Sequence, residues 1–143
     1  MTDVEFHFNV ADRLGYGCRL LRKAVRKGVG VAVTGAPATL DNFDRMLWTF
    51  ADTEFIAHIR VPTAATVPLH LHTTPVWLVD RAEDGEHLPV LLNLGDQPAD
   101  GFGSFERLIE IVSTDPGERD SGRERWRHYA SRGYSITRHE VTA

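Results

Sequence analysis

The chain has almost no cysteine: Cys18 is the single one among 143 residues. A disulfide within the chain is therefore impossible, which excludes a disulfide-stabilised secreted scaffold and fits a reducing compartment. The first residues are acidic and no apolar signal-peptide core follows them. No apolar run is long enough to cross a bilayer. We therefore expect a cytoplasmic protein without a membrane span.

Basic charge is also scarce. Sixteen Lys and Arg residues face 20 Asp and Glu residues, for a formal net charge of -4. This balance argues against a general affinity for nucleic acid, which normally needs a strong basic excess. The charge is uneven, however, because five arginines and only one acid, Glu124, lie between Arg123 and Arg138. A local basic surface is expected there.

Motifs for nucleotides and for nucleophilic catalysis are missing. No G-x-x-x-x-G-K-[ST] sequence occurs, and Gly15 and Gly17 fall inside a predicted helix rather than in a phosphate-binding turn. No serine lies in a G-x-S-x-G elbow. The acids Asp80, Glu83 and Asp84 are predicted in an exposed turn. We therefore predict no catalytic residues, no bound cofactor and no enzymatic activity.

Three histidines provide an alternative to the prediction of no enzymatic activity, because they could bind a metal ion. His70 and His72 flank Leu71, so an extended segment would place both imidazoles on one side, with His58 as a third ligand. No cysteine or suitably spaced carboxylate accompanies them. The prediction is no metal site. A small metal-dependent α/β enzyme that uses His70 and His72 is kept as the alternative.

Strands and helices alternate in the hydrophobic pattern. Strands are predicted at 5–9, 29–33, 55–58, 76–79, 89–94 and 134–139. Helices are predicted at 13–27, from a Thr39 cap to Phe50, from a Ser104 cap to Val112, and from Ser121 to Gly133. Short strand–helix–strand joints indicate parallel pairing, and the apolar run at 89–94 indicates a central strand. The expected fold is one α/β domain over residues 1–143, a three-layer Rossmann-like arrangement with a mostly parallel sheet and helices on both faces.

The last predicted helix carries an unusual surface. Ser121 and Glu124 have capping-box spacing, and Gly133 suits the helix end. The i, i+3, i+4, i+7 spacing places on one face Arg123, Trp126, Arg127 and Ala130. Guanidinium groups beside an indole suit a ligand that is anionic and apolar, such as an acidic peptide ending in a hydrophobic residue. The alternative is a solvated arginine face with a partly buried tryptophan.

Several segments, spread over nearly the whole chain and in family order, resemble the chi subunit of bacterial DNA polymerase III. They are Phe6-His7-Phe8 followed by the Leu20-Leu21 helix and Gly28; Leu47-Trp48-Thr49-Phe50 with Phe55-Ile56-Ala57-His58; Pro89-Val90-Leu91-Leu92-Asn93-Leu94; Phe105-Glu106-Arg107-Leu108-Ile109-Glu110-Ile111-Val112; and Arg123-Glu124-Arg125-Trp126-Arg127-His128-Tyr129 with Gly133-Tyr134.

The resemblance implies a non-catalytic accessory protein of the clamp-loader assembly. Proteins of this family bind the psi subunit on one surface and the acidic C-terminal tail of single-stranded DNA-binding protein (SSB) on another. They thereby link the replication machinery to SSB-coated template and associate with single-stranded DNA indirectly. The implied fold is a nucleotide-binding-like α/β domain that holds no nucleotide.

The resemblance also implies roles for individual residues at the tail site. Arg123 matches the arginine that anchors the tail carboxylate, and Trp126 matches an aromatic wall for the terminal phenylalanine ring. Arg127 and Arg119 are expected to attract the aspartates of the tail, and Val112 is expected to form the pocket floor. Direct binding of single-stranded DNA by the same arginine–aromatic face is a further alternative.

The psi surface is expected near Trp48, Phe50 and Phe55, where large apolar side chains lie close to a predicted surface turn. A place in the core explains these three residues equally well. Two positions depart from the family pattern: Gly122 stands where a bulkier residue is expected, and Arg138 stands where a smaller polar one is expected.

Overall fold

A computed structural model of the chain describes residues 2–50, 55–62 and 67–142. In chain order its elements are β1 (Asp3–Val10), α1 (Arg13–Arg26), β2 (Val31–Thr34), α2 (Pro37–Thr49), β3 (His58–Val61), β4 (Val76–Val79), β5 (Val90–Asn93), β6 (Arg107–Ser113), α3 (Pro116–Ser131) and β7 (Ile136–Glu140).

The seven strands in the described part of the chain form one sheet in the order β3-β4-β2-β5-β6-β1-β7, and each of their pairings is parallel. Helices α1 and α2 pack on one face of the sheet, and α3 packs on the other. The predicted three-layer Rossmann-like α/β fold is confirmed, and the sheet is parallel throughout. The predicted central strand is β5, the fourth of seven.

Burial on both faces explains why the central strands read as unbroken apolar runs. All four residues of β2, β4 and β5 are buried. On the α1–α2 face, Leu21 and Phe43 pack in the same core cluster as Leu92. Cys18 is also buried there, and that burial raises the pKa of its thiol to about 11. Its predicted role as a small core residue is confirmed.

The helix predicted after Ser104 is wrong, because this segment forms β6. Ser104 ends a 3₁₀ turn, Phe102–Ser104, and caps no helix. Leu108 faces the α3 layer, whereas Ile109 and Ile111 face the α1–α2 layer. A strand covered on both faces is apolar at successive positions, and such a run resembles a helix pattern when it is short. This segment is a strand because it pairs with β5 on one side and with β1 on the other.

The predicted start of the last helix is also wrong. Helix α3 begins at Pro116, and the Asp115 side chain accepts a hydrogen bond from the Glu118 backbone N–H at 3.1 Å. Proline suits the first helical position because a backbone N–H at that position would have no acceptor within the helix. Ser121 therefore lies inside the helix, where its hydroxyl donates to the Asp96 carbonyl oxygen. The predicted end is confirmed, since Gly133 has a φ of 79°.

Two smaller differences concern α2 and β3. Helix α2 begins at Pro37 without a side-chain cap, so Thr39 lies in its first turn and is not the cap. Strand β3 begins at His58, three residues later than predicted, and Phe55 precedes it. Among the described residues, no helix has both the length and the apolar character needed to span a membrane.

Candidate functional site

A cleft lies between the outward side of α3 and the neighbouring end of the sheet. Its volume is about 470 Å³. We call it the α3 cleft, and its lining residues are Phe6, Phe8, Val112, Arg119, Gly122, Arg123, Trp126 and Arg138. Four of the five residues predicted for tail binding are therefore brought together, with contributions from β1 and β7 that the pattern of α3 alone does not contain.

The base of the α3 cleft depends on the absence of a side chain at Gly122. A Cβ atom at this position would lie 2.7 Å from Cγ2 of Val112, which is closer than real Cβ contacts. Helix α3 therefore approaches β6 as closely as it does because residue 122 is glycine. Val112 lies in strand β6, not at the end of a helix as predicted, and it is half-buried beneath this contact.

The apolar wall is built from rings of two elements. Trp126 of α3 is half-buried and contacts Phe6 of β1 edge to face, with 5.1 Å between ring centroids. The Arg138 guanidinium of β7 lies 5.4 Å from the Phe8 ring centroid and 5.9 Å from that of Trp126. Such contacts hold a cation over an aromatic surface. The cleft thus presents rings and a positive charge side by side.

Three guanidinium groups surround the opening: Arg119, Arg123 and Arg138. Arg123 pairs with Asp120 at 3.2 Å, and its side chain is 60% exposed. A solvent-exposed ion pair of this kind contributes little free energy. A ligand carboxylate can therefore replace Asp120 at the Arg123 guanidinium at small cost. Within the described residues, Arg119 and Arg138 have no carboxylate partner. The opening is accordingly suited to an anion.

Arg127 does not line the α3 cleft, although the sequence placed it with Arg123 and Trp126. It is exposed on α3, one turn beyond Arg123 and outside the lining residues. A charge in that position can act on an approaching anion through space, but not by direct contact at the cleft floor.

A buried polar network fixes α3 against the sheet. Arg125 and Glu110 are both almost wholly buried, and Nε of Arg125 donates to Oε1 of Glu110 at 2.9 Å. The Tyr129 hydroxyl and the Asn93 side-chain amide both donate to Oε2 of Glu110. Burial, with the adjacent Glu110 carboxylate, raises the pKa of Tyr129 far above its usual range. The network satisfies both carboxylate oxygens and sets the position of the residues that face the cleft.

The sequence reasoning missed Phe6, Phe8 and the Glu110–Arg125 pair. A signal for the pair was present, because Glu110 interrupts the otherwise apolar segment 108–112. A charge inside a strand of this kind needs a buried partner.

A second surface lies at the other edge of the sheet, where α2 ends and β3 begins. Trp48 is 59% exposed and Phe55 is 64% exposed, with 5.3 Å between their ring centroids. The ring of His58 packs against Trp48 at 4.8 Å, and Nε2 of His58 lies 3.1 Å from Asp44. We call Trp48, Phe55 and His58 the aromatic cluster. A place in the core is excluded for Trp48 and Phe55.

Phe50, the third residue predicted near this surface, has a different environment. It is half-buried and packs against the core cluster of the α1–α2 face. The guanidinium of Arg22 lies 5.1 Å from the centroid of its ring. Phe50 therefore supports the ends of α1 and α2 and offers less free surface than Trp48 or Phe55.

The predicted histidine grouping is not formed. His70 lies within a 3₁₀ turn, Leu69–Leu71, and His72 follows it, so the segment is not extended. His72 contacts the Val67 carbonyl oxygen through Nε2, whereas His58 is buried against Ile56 and Asp44. Among the described residues, the one set of three or more potential metal ligands lies elsewhere and contains none of these histidines. The His70–His72 enzyme loses its geometric basis.

Comparison with known proteins gives a consistent result. The family model for the DNA polymerase III chi subunit, HolC, matches residues 1–137. A DNA polymerase III subunit chi from Pseudomonas aeruginosa is 30% identical over 146 residues, a match that covers 99% of this chain and 98% of that protein.

Proposed function

The chain belongs to the family of DNA polymerase III chi subunits, and from that premise we propose that it bridges the psi subunit of the clamp loader to the acidic C-terminal tail of SSB. Members of this family are replication accessory subunits and not catalytic ones. The bridge would act in the cytoplasm during DNA replication. It would join the polymerase assembly to single-stranded DNA indirectly, through SSB.

The chemistry of the α3 cleft supports the tail site. An acidic peptide that ends in phenylalanine offers a carboxylate and an aromatic ring on one residue. The cleft offers guanidinium groups at its opening and the Trp126 and Phe6 rings along its wall, with Val112 below. Arg123 pairs with the terminal carboxylate, and Trp126 contacts the terminal ring. The coexistence of these two features in one cavity is the observation that carries this proposal.

The remaining arginines assist the tail according to their positions. Arg119 and Arg138 lie at the cleft and contact acidic side chains that precede the terminal residue. Arg127 is outside the lining and attracts those side chains at longer range, so its contribution falls more steeply with salt. The acidic remainder of the protein limits direct binding to DNA, because phosphate contacts need a basic excess.

The aromatic cluster supports the psi site. Two large rings, Trp48 and Phe55, are more than half exposed beside each other at the sheet edge. Exposed adjacent aromatic rings are typical of protein interfaces and are costly to leave in water. Phe50 packs against the core of the α1–α2 face and adds less exposed surface than these two rings.

The separation of the two surfaces fits a bridging role. β3, beside the aromatic cluster, and β1, beside the α3 cleft, have four strands between them. At about 4.8 Å per strand spacing this amounts to about 24 Å along the sheet. The two surfaces therefore share no residue, and one partner does not obstruct the other.

Calorimetric titration with a synthetic SSB C-terminal peptide tests the tail site. We expect binding in the micromolar range, weakened about ten- to a hundredfold in Arg123→Ala, which corresponds to about 1.5–3 kcal/mol for a charge-assisted contact. Arg132→Ala is the matched control, because Arg132 lies just beyond the end of the same helix, contacts His128 and is not among the cleft residues. Its affinity should equal that of the wild type.

Absence of binding by the folded wild type, or equal weakening in both variants, would contradict the tail site. A parallel titration with an oligonucleotide separates the alternative of direct single-stranded DNA binding. If the oligonucleotide bound and the peptide did not, the arginine–aromatic face would be a DNA surface instead.

A further inference from the structure

A cluster of potential metal ligands lies at the β7 edge of the sheet, on the face away from the α3 cleft. Glu5 and His7 are two residues apart on β1, so both side chains point to the same face. His139 of β7 is the direct register partner of His7. Parallel pairing of these two strands thus brings two imidazoles and one carboxylate together from opposite ends of the chain.

Two of the three separations between ligand atoms are close to those that a small metal ion requires. Oε1 of Glu5 lies 3.5 Å from Nε2 of His7 and 3.4 Å from Nε2 of His139. All three ligand atoms lie within 4.8 Å of one another. Tetrahedral zinc with bonds of about 2.0–2.1 Å places its ligand atoms about 3.3 Å apart. The His139 ring is stacked on the His7 ring, with 4.5 Å between their centroids, so metal binding requires the His139 side chain, which is 48% exposed, to turn out of this stack and direct its Nε2 at the metal.

The surrounding groups orient two of the three ligands. Nδ1 of His7 lies 2.6 Å from the Tyr16 hydroxyl, which leaves Nε2 directed toward Glu5. Arg107 binds the other carboxylate oxygen of Glu5, Oε2, at 2.6 and 2.7 Å, so Oε1 is available. Hydrogen bonds to the second atom of a ligand group are typical of metal sites.

The cluster also opens onto a cavity. A space of about 450 Å³ between α1 and the sheet includes all three residues in its lining, together with Tyr16, Lys23 and Lys27. Three protein ligands next to an open cavity leave a coordination position for water or for an exogenous ligand. Such an open coordination position is typical of metal sites that the protein does not fully enclose.

We propose that Glu5, His7 and His139 form a binding site for a divalent transition metal, with zinc as the best match to two imidazoles and one carboxylate. Bound zinc would tie the edge strand β7 to β1, the one strand that pairs with β7 among the described residues. The site is independent of the proposed function, because neither the α3 cleft nor the aromatic cluster contains any of its residues.

The test is zinc titration of the untagged chain by calorimetry, with Co²⁺ as a spectroscopic probe of coordination. We expect one equivalent of zinc per chain and a visible Co²⁺ absorption band of tetrahedral type. His139→Ala should lower zinc affinity at least tenfold and remove the band. His139 is the informative position because it lies half exposed on an edge strand, so its loss leaves the core intact.

Two further variants complete the design. Tyr16→Phe removes the group that orients His7 and should lower zinc affinity about tenfold, which a purely structural role of the hydroxyl does not predict. His70→Ala is the control, since His70 is exposed in a distant turn, and it should bind as the wild type does. Zinc should also raise the unfolding temperature of the wild type but not that of His139→Ala.

Failure of the folded wild type to bind zinc would overturn the proposal. Binding that persists unchanged in folded His139→Ala would overturn it too. If that persistent binding were lost in His70→Ala, the metal would belong to the His70–His72 turn instead.

Discussion

The two edges of the sheet present different kinds of surface. At the β7 edge, the α3 cleft combines partly buried rings with three guanidinium groups, and it is shaped by the contact of Gly122 with Val112. At the β3 edge, the aromatic cluster exposes most of the Trp48 and Phe55 side chains beside each other. In the proposed function, the first surface receives a charged chain end and the second is covered by apolar area of a partner.

The support behind each surface differs as well. The α3 cleft depends on a helix that is held by the buried Glu110–Arg125 pair and by Tyr129. The aromatic cluster depends on the packing of the His58 ring against Trp48 and on the contact of His58 with Asp44. We therefore expect changes behind the cleft to affect stability, and changes in the exposed cluster to affect binding alone.

The largest effect is expected at Arg125. Arg125→Ala leaves the Glu110 carboxylate buried without its cation, which should lower the free energy of unfolding by about 3–5 kcal/mol. Urea denaturation measures this change. Arg123→Ala on the same helix is the matched control, and because its side chain is exposed its stability should stay within about 0.5 kcal/mol of the wild type. Similar stabilities of the two variants would show that the buried pair does not hold α3.

Phe55→Asp is expected to affect binding without affecting the fold. A carboxylate in place of an exposed ring removes apolar area and places a charge in the proposed interface, so affinity for psi should fall at least about a hundredfold. Surface plasmon resonance with psi measures the loss. Ala38→Asp adds the same charge to an exposed position in the first turn of α2 and should bind normally. Unfolding of Phe55→Asp, or unchanged affinity, would argue against this interface.

The smallest effect is expected at Arg138. Its guanidinium is held over Phe8 and Trp126 at the edge of the cleft, so Arg138→Gln should weaken tail-peptide binding by about two- to fivefold, in line with about 0.5–1 kcal/mol for a solvent-exposed charge pair with the tail. Competition fluorescence with a labelled peptide resolves a change of this size. A loss of affinity as large as that of Arg123→Ala would indicate that Arg138 of β7 anchors the tail, in contradiction to the role proposed for Arg123 of α3.

The sequence predicted those parts of the fold that are determined locally. Strands β4 and β5 and helix α1 were placed to within one or two residues, because an apolar run or an amphipathic stripe reports burial directly. Strand β6 was missed because Leu108, Ile109 and Val112 also fit a helical face. The choice between a helix and a strand depends on pairing with β5 and with the distant β1, which the local pattern does not contain.

Spacing along the chain could predict only the residues that α3 contributes to the α3 cleft. Spacing along the chain placed Arg123 and Trp126 on one face, but it did not reveal Phe6 and Phe8, which are over a hundred residues away. It also included Arg127, because helical spacing defines a face and not the width of a cavity. The capping-box spacing of Ser121 and Glu124 predicted a helix start at Ser121, whereas the helix begins at Pro116 with Asp115 as its cap.

The most direct measurement of the bridge uses immobilised psi, to which the chain and then intact SSB are added in biolayer interferometry. We expect SSB to be captured only when the chain is present. Arg123→Ala should stay bound to psi but fail to capture SSB, whereas Phe55→Asp should not bind psi. If the SSB tail instead displaced the chain from psi, the two partners would share one surface, and the assignment of separate surfaces at opposite sheet edges would be contradicted.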